Sequence, residues 1–159
     1  MIRHINKGRG FGLIEVVFGS AIISLTLFGI LSVAKNSLRV TDYALRSAQS
    51  GYLILEGAEA VRAMRDVNWI NISGLTTATT YYLTFSTETN RFATTSVNTL
   101  VDGIFERSFT LADVFRNGSD DIASSGTNDP GTKKITVNVS WFNRNSTTTK
   151  TVDFYLTNI

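Results

Sequence analysis

An apolar run of 24 residues near the N-terminus constrains this chain more than any other feature of its sequence. The run extends from Phe11 to Ala34, and its only charged side chain is that of Glu15. As a helix it would be about 36 Å long, which exceeds the hydrocarbon thickness of a bilayer, about 30 Å. A chain of 159 residues can hardly enclose such a helix in its own core. The run therefore predicts a membrane-spanning helix over residues 11–34.

Basic residues at the two ends of this run favour one orientation. The flanking cations are Arg3, Lys7 and Arg9 before the run, and Lys35 and Arg39 after it. Because basic flanks tend to stay in the cytoplasm, we expect a cytoplasmic N-terminus and a C-terminal part outside the cell. A cleaved secretory signal peptide remains an alternative, since Ser32-Val33-Ala34 has the small-x-small pattern of such a cleavage site.

The composition argues against an enzyme. The chain has no cysteine, and its one histidine, His4, precedes the apolar run. It therefore lacks the residues for thiol catalysis and for a cysteine-ligated metal site, and from the apolar run onward it has no imidazole for a Ser-His-Asp triad or a histidine-ligated metal site. We expect no catalytic residue and no cofactor. The net charge of +2 becomes −1 when Arg3, Lys7 and Arg9 are left out, so nucleic-acid binding is not expected either.

Beyond Ala34, helical periodicity continues and then changes to alternation. A stripe of apolar residues at helical spacing predicts that the helix extends to about Asp66; the stripe comprises Leu38, Leu45, Ala48, Tyr52, Leu55 and Ala58. From Thr79 onward, apolar residues alternate with polar ones, which predicts an antiparallel sheet with one apolar face. We expect the stripe to cover that face. The predicted fold class is therefore α+β, with a long N-terminal helix packed on a C-terminal antiparallel β-sheet.

Two features of the sheet region are predicted in more detail. The strands around Ile135–Trp141 and Val152–Leu156 flank the turn-rich segment Asn143–Ser146, which predicts a C-terminal hairpin. The segment Arg116–Lys134 is rich in Gly, Ser, Asn and Asp and predicts a surface loop. Its oxygen-bearing side chains are candidate Ca²⁺ ligands, although a solvated loop is the simpler interpretation; they are Asp120, Asp121, Asn128 and Asp129.

The residues at the start of the apolar run form a motif. The basic segment Lys7-Gly8-Arg9 leads to a Gly10-Phe11 pair, and Glu15 follows four residues after Phe11. Together with the long apolar run, this motif resembles the processing site of type IV prepilins. The resemblance implies that a membrane peptidase cleaves between Gly10 and Phe11 and that the new N-terminus, on Phe11, is then N-methylated. Many members of that family also carry a proline in the apolar run and a C-terminal disulfide, and this chain has neither.

The resemblance also implies a layout and a function. Residues 1–10 would be the prepilin leader, 11–34 the transmembrane and assembly helix, 35–66 its amphipathic half, and 67–159 a globular β head. The chain would be a structural subunit of a type IV pilus-like filament, made in the cytoplasmic membrane and then displayed on the cell surface. Its partners would be other copies of itself, the peptidase and methyltransferase, and the assembly platform. A minor pilin or pseudopilin of a secretion or DNA-uptake machine, and a single-pass anchored binding protein, remain alternatives.

Glu15 has a physical argument of its own. A carboxylate in a membrane helix costs up to about 3 kcal/mol, unless it lies at the headgroup level. Cleavage after Gly10 would place the charged amine of Phe11 one helical turn away, in the same subunit or in a neighbouring one. We therefore predict that Glu15 sets the register of assembly. Small residues that would allow close helix packing, or that only reflect ordinary membrane-helix composition, are Gly19, Ser20, Ser24 and Gly29.

Overall fold

A computed structural model describes residues 12–159, and the chain divides into two compact units. The first unit ends at Ala44, and the second comprises Leu45–Ile159. One helix, α1 (Leu13–Val67), supplies residues 13–44 of the first unit and residues 45–67 of the second. The predicted continuation of the helix to about Asp66 is confirmed.

The first unit has almost no buried surface. Every residue from Leu13 to Ala44 is exposed except Gly19, which is half-buried. Phe28, for example, is 71% exposed. This part of α1 is long and apolar enough to cross a membrane, and none of its most apolar 18-residue window is buried. The chain therefore contains a helix that could span a bilayer.

The second unit contains a six-stranded sheet and a short helix, α2 (Ile70–Ser73). Its strands are β1 (Tyr81–Ser86), β2 (Arg91–Thr95), β3 (Phe105–Arg116), β4 (Ile122–Ala123), β5 (Thr127–Asn143) and β6 (Ser146–Thr157). The strand order is β2-β1-β3-β5-β6, β4 pairs with β3, and all pairs are antiparallel. The α+β fold class is therefore confirmed.

Period-two alternation sets which side chains enter the core. In β5, Ile135, Val137 and Val139 are fully buried, and the residues between them are half-buried on the other face. The register pairs Val137 with Phe109 of β3, which is also fully buried. The predicted C-terminal hairpin is present, and its turn contains Arg144 at a positive φ of 59°.

The segment from Arg116 to Lys134 is not the surface loop that its composition predicts. β4 lies within it, and β5 already begins at Thr127. The register explains how Pro130 is accommodated: Asp113 pairs with Lys133 and Val114 pairs with Asp129, so residues 130–132 have no partner on β3. A bulge of this kind tolerates a residue that cannot donate a ladder hydrogen bond.

The face of α1 that packs on the sheet is also different from the predicted one. The buried residues of α1 are Ser50, Ile54, Gly57, Ala58, Ala60, Val61 and Met64. Of the predicted stripe, only Ala58 is buried; Leu38, Leu45, Ala48, Tyr52 and Leu55 are exposed. The reason is close approach: a Cβ at Gly57 would lie 3.0 Å from Val137 Cγ1. The sheet therefore packs on a face of the helix that combines small residues with Ile54, Val61 and Met64, and Tyr52 and Leu55 point away from it.

Candidate functional site

The predicted processing residues Gly10 and Phe11 lie outside the described residues, so cleavage and N-methylation remain predictions. Glu15 lies in the first turn of α1 and is exposed, and its backbone N–H donates to the carbonyl of Gly12 at 2.9 Å. A carboxylate in the first turn is stabilised by the positive end of the helix dipole. Glu15 therefore also favours the start of α1 at this point.

The small residues predicted for helix packing are all on exposed or half-buried turns of α1. Ser20 Oγ donates to the carbonyl of Val17 at 2.9 Å, and Ser24 Oγ donates to that of Ser20 at 2.8 Å. Both hydroxyls are thus satisfied within the helix, so they need no partner from another helix. A Cβ added at Gly19 or at Gly29 would meet nothing within 4 Å. Their part in helix packing remains a prediction.

In the second unit, α1 presents an apolar seam that consists of Leu45, Ala48, Tyr52 and Leu55. All four residues are exposed, and Tyr52 is 76% exposed. From Tyr52 to Ile54, which is buried on the sheet, the helix turns by about 200°. The apolar seam therefore lies on the side of α1 that faces away from the sheet.

The spacing of the apolar seam continues backwards through the first unit. Intervals of three and four residues alternate without a break along Leu31, Ala34, Leu38, Thr41, Leu45, Ala48, Tyr52 and Leu55. This is the seven-residue repeat by which helices pack in coiled coils. Sequence reasoning recognised several of these residues but assigned them to the wrong face; the regular alternation of three and four was the signal that could have separated them.

The two flanks of this repeat differ in size. One flank carries long polar side chains, from Lys35, Asp42, Gln49 and Glu56, and the other carries Ser37, Ala44 and Gly51. In a parallel pair of helices the first flank of one helix faces the second flank of its neighbour.

Three contacts fix α1 on the sheet with the apolar seam outward. Lys150 Nζ of β6 donates to the carbonyl of Ser47 at 2.7 Å. The buried Arg107 of β3 places Nη1 3.0 Å from Glu56 Oε1. On the β6 side, the Arg62 guanidinium lies 4.7 Å above the ring of Phe154. The sequence predicted none of these three contacts, because each depends on how elements that are distant in the chain pack together.

The candidate Ca²⁺ ligands are only partly brought together. Asp129 Oδ2 accepts a hydrogen bond from Arg116 Nε at 2.7 Å, and Asp120 Oδ1 lies 3.7 Å from the same nitrogen. The Arg116 guanidinium, with a hydrogen bond from Thr132, holds the pKa of Asp129 below its usual value. Asp121 lies in the turn before β4, and Asn128 pairs with Phe115 in the sheet. Between Gly12 and Ile159, no group of three or more Asp, Glu, His or Cys could hold a metal.

No family model, curated protein or solved structure matches this chain at a significant level. A long apolar N-terminal helix that packs on an antiparallel sheet is compatible with a type IV pilin-like architecture. Any finer assignment depends on the residues described above.

Proposed function

We propose that this chain is a structural subunit of a type IV pilus-like surface filament. In this proposal, the apolar helix first holds the chain in the cytoplasmic membrane, with the N-terminus inside. A prepilin peptidase then removes residues 1–10, Phe11 is N-methylated, and an assembly platform stacks the copies. The chain is a substrate of enzymes in this scheme and catalyses nothing itself.

The observation that carries the proposal is the apolar seam. A simple membrane anchor needs apolar surface only where lipid covers it, which is about 20 residues. The seam residue Leu55 lies 21 residues beyond Ala34, on the exposed side of a helix whose other side is already packed. An exposed apolar strip of this kind marks an interaction surface. Because its repeat is the one used in helix-to-helix packing, other copies of α1 are the partner that fits it.

Helix packing would also replace the lipid around the first unit. Once α1 leaves the bilayer, residues 13–34 need another apolar cover, and identical helices provide it. Burial of about 1000 Å² per subunit would contribute about 25 kcal/mol gross, which offsets much of the cost of extraction. The amine of Phe11 and the carboxylate of Glu15 would pair within a subunit or between subunits and would fix the axial register.

Two other functions share parts of this description. A minor pilin or pseudopilin would use the same helix in a secretion or DNA-uptake machine, and abundance in purified filaments separates it from a main subunit. A single-pass anchored binding protein would keep its leader and would have no use for the apolar seam.

The test combines intact mass with electron microscopy of the chain from its native cells. We expect a mature mass that lacks residues 1–10 and carries one added methyl group, and we expect filaments. Leu45→Ser with Tyr52→Ser should be processed normally but should lose the filaments, because the apolar seam is disrupted. Tyr155→Ser, which removes another exposed aromatic residue away from the seam, is the matched control.

Glu15→Val is the second arm of this experiment. It should be inserted and cleaved normally but should enter filaments poorly, because the partner of the Phe11 amine is lost. A retained leader or solitary wild-type particles would contradict the proposed function. Normal filament yield from Glu15→Val would contradict only the register role.

A further inference from the structure

A groove in the second unit is not used by helix packing. It lies between the last turn of α1, the short helix α2 and the β1–β2 hairpin, and its volume is about 730 Å³. Its apolar lining includes Val67, Ile70 and an edge-to-face pair of rings, Phe85 and Phe92, with centroids 5.1 Å apart. Ile70 is 63% exposed. An apolar lining this open to water is suited to an apolar occupant.

The polar residues of the groove favour an aromatic occupant. Arg91 and Asn90 line it beside the two rings. A guanidinium attracts the face of an aromatic ring, and an edge-to-face ring pair offers further ring edges and faces to a third ring. Glu88 lies in the turn between β1 and β2, directly before the lining residue Thr89, and adds a negative charge near the groove.

An exposed aromatic residue with the complementary charge lies on the β5–β6 hairpin. Phe142 is 65% exposed, whereas its neighbour Trp141 is buried in the core. Two residues further, the exposed Arg144 lies in the hairpin turn. The hairpin thus presents a ring for the Arg91 side of the groove and a cation for Glu88.

The Phe142 ring points away from the groove of its own subunit. Along β5, Val137 and Trp141 point to the face of the sheet that α1 covers, so Phe142 points to the opposite face. The groove lies on the α1 side of the sheet, between α1, α2 and the β1–β2 hairpin. The occupant must therefore come from another molecule.

We infer that the groove receives the β5–β6 hairpin of a second copy, with the Phe142 ring between Phe85, Phe92 and Arg91, and with Arg144 near Glu88. This contact joins two different surfaces of the same chain, so copies add head to tail, and they extend a filament where the rotation between copies does not close a ring. It rests on the proposed function, because it orders copies that already share a filament, and it adds an interface between the β-sheet units to the packing of the helices.

Disulfide cross-linking tests this contact cleanly, because the natural chain has no cysteine. Purified filaments of the full chain with Phe142→Cys and Ile70→Cys should form a ladder of covalent oligomers after mild oxidation, whereas each single variant should not. Tyr155→Cys with Ile70→Cys is the matched control, since Tyr155 is 50% exposed on the other end of the hairpin. This control should give no ladder.

A charge reversal supplies a second readout that needs no cysteine. Arg144→Glu should lower filament yield several-fold, and Glu88→Arg in the same chain should restore it. Filaments without a ladder in the Phe142/Ile70 variant, or an equal ladder in the control, would overturn this inference and leave the proposed function intact. Absence of filaments from the wild type would overturn both.

Discussion

The two parts of α1 are one continuous helix, yet they meet opposite surroundings. In the first unit, residues 13–34 are apolar on nearly all sides, and residues 13–44 are almost entirely exposed. In the second unit, the sheet covers a face that includes Ser50, Gly57 and Ala58, while Tyr52 and Leu55 point away. A soluble helix normally buries its larger apolar residues. The difference teaches that the sheet covers a face on which small residues accompany Ile54, Val61 and Met64, whereas Tyr52 and Leu55 stay exposed on the opposite side.

The largest expected effect comes from comparing a core substitution in the second unit with a surface substitution in the first. Trp141→Ala should lower the free energy of unfolding of the second unit by about 3–5 kcal/mol, because it removes the largest fully buried side chain. Leu27→Ala, in the first unit, removes an exposed side chain and should leave that value unchanged within about 0.5 kcal/mol. Urea unfolding of the full chain in detergent, followed by circular dichroism, measures both. A similar loss from Leu27→Ala would break the comparison.

A second prediction addresses the close approach of α1 to the sheet at Gly57. Gly57→Leu should destabilise the second unit by about 1–3 kcal/mol, since a side chain there meets Val137 and Arg107. Gly51→Leu is the control on the same helix, because a Cβ at Gly51 meets nothing within 4 Å. Equal unfolding midpoints for the two variants would show that close approach at Gly57 is not needed.

A third prediction concerns the ion pair at the edge of the helix–sheet interface. Glu56→Ala should cost about 1–2 kcal/mol, because it leaves the buried Arg107 guanidinium without its carboxylate; the half-exposure of Glu56 limits the loss. Glu59→Ala breaks an exposed pair with Arg62 and should cost about 0–1 kcal/mol. Thermal unfolding of both variants in one buffer tests the order. A larger loss of stability from Glu59→Ala than from Glu56→Ala would contradict the importance of the buried ion pair.

The smallest expected effect is a pH dependence away from α1. The pKa of Asp129 is lowered by Arg116, so its stabilisation is present above about pH 4 and is lost as the pH falls through the lowered pKa. Asp129→Asn should therefore be less stable than the wild type at pH 7, and the gap should narrow below pH 4. Denaturant midpoints of both proteins across this range give the measurement. A gap that stays constant would exclude ionisation of Asp129 as its cause.

The sequence predicted which secondary-structure elements form better than it predicted which face of α1 is buried. The length of α1, the C-terminal hairpin and the α+β class follow from periodicity, which is local information. The buried face of α1 could not be predicted in this way. Glycine and serine are not typical core residues, and the sequence does not show that Val137 packs against Gly57. The strand within residues 127–134 was missed because Pro130 normally marks a loop, and only the bulge opposite Asp113 and Val114 makes it acceptable. The groove joins three separate elements and has no signal in any one of them.

The distance in sequence between the helix and its last strand has a kinetic consequence. Lys150 contacts Ser47 across 103 positions, and β6 supplies Leu156 to the core. The ribosome makes the helix first, so the sheet-facing side of α1 stays exposed to water until the strands that cover it have been made. Folding of the second unit therefore waits for β6, and a chain terminated before Ser146 leaves that side of its helix incompletely covered.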